Sequence, residues 1–332
     1  GGKNAGGAAV FVLLAAGVGA RLFATRFYGG FPADMSCFSA WAQRLFSGGV
    51  HNFYSADFFS DYPPGYMYVL WALGALKSAF SLGDGAFYVL LKTPAILCDA
   101  LTAMLLIKIA QKHTTGFAAM TLGGLYLFSP AVFVNSALWG QVDAVYTLFV
   151  FATVYLAGEK RLPAAFFTFA LAAIIKPQAT FFAPILIFTA AEEAIYPKFD
   201  AKRLGTLVLW AIAAIAAAVA LALPFGFSNV ASQYVGTLSS YRYFSVNAFN
   251  FWAMLGLNWQ SLTPLSSALT YVVIAAVTVA AGVGFFRTKS AARYFWYAGF
   301  ICAMMFAFST KMHERYGFAA IVLLAAGSAV CG

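Results

Sequence analysis

Residues 207–223 read LVLWAIAAIAAAVALAL, a run at helix length with no charged or amide side chain. Comparable runs recur at 7–25, 64–80, 86–107, 116–135, 144–157, 162–175, 178–191, 204–224, 265–286, 294–310 and 317–331. Eleven such segments leave little chain to cover a water-facing surface. Only 9% of the 332 residues are charged and 62% are apolar, whereas a soluble domain is nearer about a quarter charged. Lipid is therefore the expected solvent, and an ordinary soluble enzyme is excluded. The continuity of the runs also excludes a membrane β-barrel, which needs short alternating segments. A spanning helix takes roughly 20 residues, so the expectation is an all-α polytopic membrane protein of about ten transmembrane helices.

The remaining composition narrows the class further. Cys37, Cys98, Cys302 and Cys331 show no metal-type spacing, and three of them fall inside apolar runs, which argues against a disulfide framework. The net charge of +9 comes from small loop clusters with no basic stripe, so no nucleic-acid partner is expected. No cleavable signal peptide is visible, and a first residue that is Gly suits a trimmed chain.

Short loops rich in Lys and Arg face the cytoplasm. Four qualify: Lys108 with Lys112, Lys160 with Arg161, Lys198 with Lys202 and Arg203, and Arg287 with Lys289 and Arg293. They agree by parity if Lys3 is also inside and the run 64–80 does not cross but lies on or dips into the outer face. Ten crossings and a single domain, 1–332, follow. Its external parts are a loop with juxtamembrane helices at 26–85, the stretches 136–143, 176–178 and 311–316, and a second long loop at 225–262. The cytoplasmic loops are short and hold no G-x-x-x-x-G-K-[ST] or G-x-G-x-x-G, so no nucleotide site is expected there.

Most of the unusual polar residues fall in the external stretches, and each has an ordinary structural reading beside a functional one. Asp34 opens a segment whose Met35, Phe38, Trp41, Ala42 and Leu45 share one helical face. It reads either as an N-cap or as a general base at the membrane surface. Asp61 precedes a Tyr-Pro-Pro-Gly-Tyr turn and reads as a turn residue or a ligand for hydroxyls. Lys92 and Asp99 share a face of one span and must look inward, Asp99 more as part of a polar network across the bundle. Gln141 and Asp143 stand at the outer mouth of a span, with capping by Asp143 as the plain alternative. Lys176, before Pro177 and Gln178, either snorkels or meets an anion. The loop 239–259 is dense in Tyr, Phe, Trp and Asn with Arg242 as its only charge, which suits an interfacial aromatic belt or a sugar platform. Lys311, His313 and Arg315 oppose the positive-inside pattern. They mark either a miscounted cytoplasmic flank or an anion site, for which a phosphate is the natural ligand.

Taken in order, Asp34, DYPPGY, KTPAILCD, WGQVDA, KPQ, NAFNFW and HERY resemble GT-C glycosyltransferases that use polyprenyl-phosphate sugars. Within that superfamily they are most similar to bacterial and archaeal relatives of the second GPI mannosyltransferase. The resemblance runs through most of the chain. Asp34 and Ser39-Ala40-Trp41 match the acidic residue and following helix of the first external loop in related glucosyltransferases. His313, Glu314 and Arg315 match a stretch that contacts the lipid phosphate in the family. The first external loop here has no Asp-x-Asp pair, so no metal and no other cofactor is expected.

What the resemblance implies is a GT-C-type bundle in a prokaryotic plasma membrane with its site outside. It would transfer one monosaccharide, mannose first among the candidates, from a polyprenyl-phosphate donor to a glycan, glycolipid or protein acceptor, with inversion. In that scheme Asp34 is the catalytic base, and Arg315, His313, Lys311, Arg242 and Lys176 bind the donor phosphate. Asp61, Gln141, Asp143, Gln178, Tyr241, Asn247 and Trp252 bind sugar or acceptor. Two other classes fit the charges less closely: a lipid or sugar transporter, which should show two similar halves, and a non-catalytic membrane scaffold subunit.

Overall fold

The computed structural model describes residues 2–55, 57–239 and 242–331; Tyr241 and the side chain of Lys3 lie outside the described part. Every apolar run becomes helix. The first half contains α1 (Gly2–Ala24), α2 (Pro32–Gly48), α3 (Pro64–Ala79), α4 (Asp84–Ala110), α5 (Gly116–Leu127), α6 (Pro130–Phe133), α7 (Asp143–Gly158) and α8 (Leu162–Ile175). The second half contains α9 (Ala183–Ile195), α10 (Ala201–Ala222), α11 (Phe227–Ser239), α12 (Phe251–Met254), α13 (Pro264–Arg287), α14 (Arg293–Phe308) and α15 (Phe318–Cys331). Proline occupies the first turn of α2, α3, α6, α8 and α13, where its missing N–H is not needed. Thr263 and Ser266 close a capping box at the start of α13.

Among the described residues, four helical stretches, Gly6–Ala24, Asp84–Ala110, Ala201–Phe225 and Pro264–Arg287, are long and apolar enough to cross a membrane. The run 116–135 is not one straight helix. It breaks before Pro130 and resumes at 49° as α6 and a π-helical turn, Val134–Trp139, and the bent pair makes a fifth candidate span. Asp143–Gly158, Leu162–Ile175 and Phe318–Cys331 are apolar but shorter. Length alone therefore supports four or five crossings, fewer than the expected ten, because polar breaks such as Lys176-Pro177 cut the runs early. Outward faces of α10 and α13 present Leu209, Ile215, Leu265 and Val272, each more than 60% exposed, as helices bathed in lipid would.

Segment α3 lies against α2 and is not among the long apolar spans. The face anticipated on α2 is the buried one: Met35, Phe38, Trp41, Ala42 and Leu45 are all buried. Asp99 belongs to a polar network, as expected, but with a partner that the sequence did not single out. Its carboxylate lies 3.3 Å from Arg21 of α1 and accepts a 2.5 Å hydrogen bond from Ser136. Arg21 also donates to the carbonyls of Gly17 and Leu127, so this fully buried guanidinium ties α1 to α4, α5 and the π-turn.

The bundle has two chemically different ends. The four basic loops expected in the cytoplasm are stitched together: Lys112 pairs with Glu159 at 2.9 Å, Lys160 with Glu192 at 2.8 Å, Arg293 with Glu192 at 2.6 Å, and Arg203 with Glu193. Their sharing one end is what the parity argument requires. The external motifs gather at the other end.

Candidate functional site

Asp34 sits in the first turn of α2, where the helix N-terminus favours a negative charge. It is not the N-cap. Phe31 holds that position without a side-chain cap, and the Asp34 carboxylate turns across to the WGQVDA motif. There Oδ2 accepts a 2.9 Å hydrogen bond from the Trp139 indole and a second, short one from the Gln141 amide. The geometry of that motif comes from the π-turn. The Asn135 carbonyl accepts from both Gly140 and Gln141, at 3.1 and 2.9 Å, and Gly140 ends the turn at φ 89°, a left-handed conformation that suits glycine. Asp34 is half-buried.

Asp143 opens α7 but does not cap it. It is fully buried and paired with Lys176, at 2.6 Å, while Asn135 donates to its other oxygen at 3.1 Å. Arg315 Nε lies 3.7 Å from the same carboxylate, and its Nη1 donates to Glu314 at 2.9 Å. The Lys176 ammonium also stands over the rings of Tyr62 and Tyr146, at 5.5 and 5.7 Å. These pairings bear on two residues singled out in the sequence. Lys176 was expected on the phosphate and Asp143 on hydroxyls, but burial leaves each engaged with the other. Arg315, with a side chain 19% exposed, is the cation with a face still open.

Asp61, just before the Tyr-Pro-Pro-Gly-Tyr turn, shares the field of Lys176, Arg315 and Asp34; burial pushes its carboxyl above the ordinary range against the pull of the two cations. His313 is held low, at about 4, first by burial and then by Arg315 and Lys176. At neutral pH it is thus an uncharged imidazole. Burial also pushes Lys176 down, opposed by Asp143. Burial opposes charge on Arg315 too, but Asp143 together with Tyr62, Tyr316 and Glu314 outweighs it and holds the guanidinium above its ordinary value.

Gln178 hydrogen-bonds Tyr316. Among the described residues, no hydrogen-bond partner meets the buried Gln141 Oε1, Gln178 Oε1 or Arg315 Nε. Arg315 Nε faces the Asp143 carboxylate as an ion pair, so the two amide oxygens are the polar atoms of this cluster left for a polar ligand to meet. Among the described residues no three His, Cys, Asp or Glu side chains converge so as to hold a metal ion.

The second external loop reaches this end through a pairing that no periodicity announced. Strand β1 (Ser245–Val246) runs parallel to β2 (Met312–His313), and the Lys311 N–H donates to the Tyr243 carbonyl at 3.0 Å. Its aromatic residues serve the loop itself. Asn247 bonds Asn258 and Trp259, and the Trp252 indole donates to the Phe308 carbonyl at 2.8 Å. Neither is brought to Asp34 by these contacts. Arg242 is exposed on the same loop and Lys311 is half-buried beside β2.

An apolar cavity of about 500 Å³ lies among α8, α9, α10 and α11, and none of the cluster's charged residues lines it. Pro64 and Ile174, close in sequence to Asp61 and Lys176, stand at its wall; Phe166, Phe169, Ala218 and Phe227 continue it along α8, α10 and α11. Sequence reading missed Trp139 as a ligand of Asp34 and Asn135 as a ligand of Asp143. Trp139 could have been found within its motif; Asn135, inside an apolar run, carried no local signal. Comparison of the chain with protein-family models and with curated proteins returns no match.

Proposed function

We propose that the chain is an integral membrane glycosyltransferase of the GT-C type, with ten crossings and its site on the outer face of a prokaryotic plasma membrane. The observation that carries this reading is that Asp34, held by Trp139 and Gln141, and the buried cluster of Lys176, Asp143 and Arg315 share the field around Asp61, while Pro64 and Ile174, close in sequence to Asp61 and Lys176, line an apolar cavity. A phosphate-linked sugar on an isoprenoid tail needs all three: a carboxylate near the reacting carbon, donors for the phosphate, and an apolar path for the tail.

In this reaction the acceptor hydroxyl gives its proton to Asp34 as its oxygen attacks the anomeric carbon. The bond from that carbon to the phosphate oxygen breaks with its electron pair, and the configuration inverts. Polyprenyl phosphate leaves. Its growing charge is met by Arg315 and by the neutral His313, with Lys311 and Arg242 on the approach. The Lys176–Asp143 pair fixes Arg315 without touching the phosphate. Asp61, Gln141 and Gln178 offer hydrogen bonds to sugar or acceptor hydroxyls, and mannose is the first sugar to try.

The test is transfer from purified polyprenyl-phosphate [³H]mannose to a lipid-linked glycan acceptor by the protein in nanodiscs. Arg315→Ala should lose about 100-fold in rate, the usual effect of removing one donor to a developing oxyanion. Undiminished transfer by Asp34→Asn would remove the base from the scheme.

A further inference from the structure

The mechanism above makes no use of Lys92. It lies in α4 with 1% of its surface exposed. Its ammonium is 2.7 Å from the Tyr28 carbonyl, 3.0 Å from that of Ala137 and 3.5 Å from that of Leu138. All three are main-chain oxygens, and they belong to two segments: the chain that enters α2 and the π-turn that leads to Gly140.

We infer that Lys92 is a positioning residue, whose ammonium clamps the entry to α2 onto the π-turn and so sets Asp34 against Trp139 and Gln141. This rests on the reading of Asp34 as the base.

The surroundings are built as a joint. The Phe31 N–H donates to the Trp139 carbonyl at 2.9 Å, next to the Lys92 contacts. Met35, one residue after Asp34, is wedged between two glycines with left-handed backbones. A Cβ at Gly30 (φ 107°) would come within 2.5 Å of Met35 Cγ and 3.0 Å of the Trp139 carbonyl. A Cβ at Gly140 would meet Met35 Sδ at 2.5 Å and Lys92 Cε at 3.4 Å. The last carbonyls of a helical turn lack partners within it and carry partial negative charge, so a cation fits there. Three N–H donors facing three carbonyls account for the choice of Lys. Methionine would fill much the same space without the expense of a charge in a spanning helix, but would leave buried carbonyls unpaired.

Lys92→Met and Lys92→Arg test the clamp in nanodiscs, by amide hydrogen exchange and by transfer kinetics. In Lys92→Met, exchange of segments 28–36 and 134–142 should speed up by about tenfold or more, with segments 159–161 and 192–203 unchanged. The kcat for transfer should fall by about 100-fold, as for a catalytic group displaced by about 1 Å, while KM moves by less than about threefold. Lys92→Arg, which keeps the donors, should recover most of both. If Lys92→Met does not accumulate, Lys92→Gln is read in the same way. Wild-type exchange in both segments, or equal acceleration at both ends of the molecule, overturns the inference. Local loosening in a protein whose wild type transfers no sugar defeats the transferase reading and leaves the clamp in place.

Discussion

Both ends of the bundle are held by ion pairs, yet they use them differently. At the basic-loop end Lys112 and Glu159 are each nearly half exposed, and Lys160 with Glu192 is also open to solvent. Such pairs are screened and individually weak, typically about 0.2–1 kcal/mol. At the other end Lys176 and Asp143 are 4% and 1% exposed. Two charges taken out of water there must be matched closely, and the loss of one partner strands the other. At the basic-loop end Arg and Lys form the clusters that the parity argument assigns to the cytoplasm. At the other, Lys176, Asp143 and Arg315 stand together with the amides of Gln141 and Gln178. The ends differ in how deeply most of their pairs lie, although Arg293, paired with Glu192, is buried at the basic-loop end as well.

The contrast can be attacked in order of expected effect. Asp34→Asn should cut transfer by about 10²- to 10⁴-fold, the usual contribution of a general base, without moving the thermal midpoint in nanodiscs. Next, Asp143→Asn leaves Lys176 charged and buried, and should cost about 3–5 kcal/mol of stability in a denaturant titration. A loss as small as that of a surface pair would erase the distinction between the ends.

His313 gives a pH signature. Its folded value is about 4 against an unfolded 6.5, so the unfolded chain takes up a proton that the folded protein resists. Stability should therefore fall as pH drops through the window from 6.5 to 4, and be level above it. His313→Gln should flatten that part of the profile, read from melting curves between pH 7 and 5. The smallest effect belongs to Lys112→Ala, under about 1 kcal/mol and shrinking further with added salt.

Much of this was legible in the sequence, for identifiable reasons. The face of α2 followed from apolar residues at helical spacing, since Met35, Phe38, Trp41 and Leu45 can share a side only in a helix. The shared end of the basic loops followed from parity. What the sequence withheld were relations set by backbone geometry. The π-turn carries no composition signal, yet it aims Trp139 and Gln141 at a carboxylate more than a hundred residues away. Lys92 meets carbonyls, which no side-chain letter reports. The two-residue strands β1 and β2 are too short for any periodicity to show. Asp143 and Lys176 were each singled out, but only their distance reveals that they neutralise one another.

The opposite placement of the two ends is open to direct measurement by sided cysteine labelling. Phe249, 94% exposed on the second external loop, and Lys202, exposed among the basic loops, suit the purpose. Phe249→Cys and Lys202→Cys, each in a chain with its four native cysteines replaced by alanine, are treated in intact cells with a membrane-impermeant maleimide. The expected result is labelling of Phe249→Cys from outside, with Lys202→Cys labelled only after the membrane is opened. Labelling of both from the same side, or of Lys202→Cys alone from outside, would contradict the topology and with it the outward-facing site.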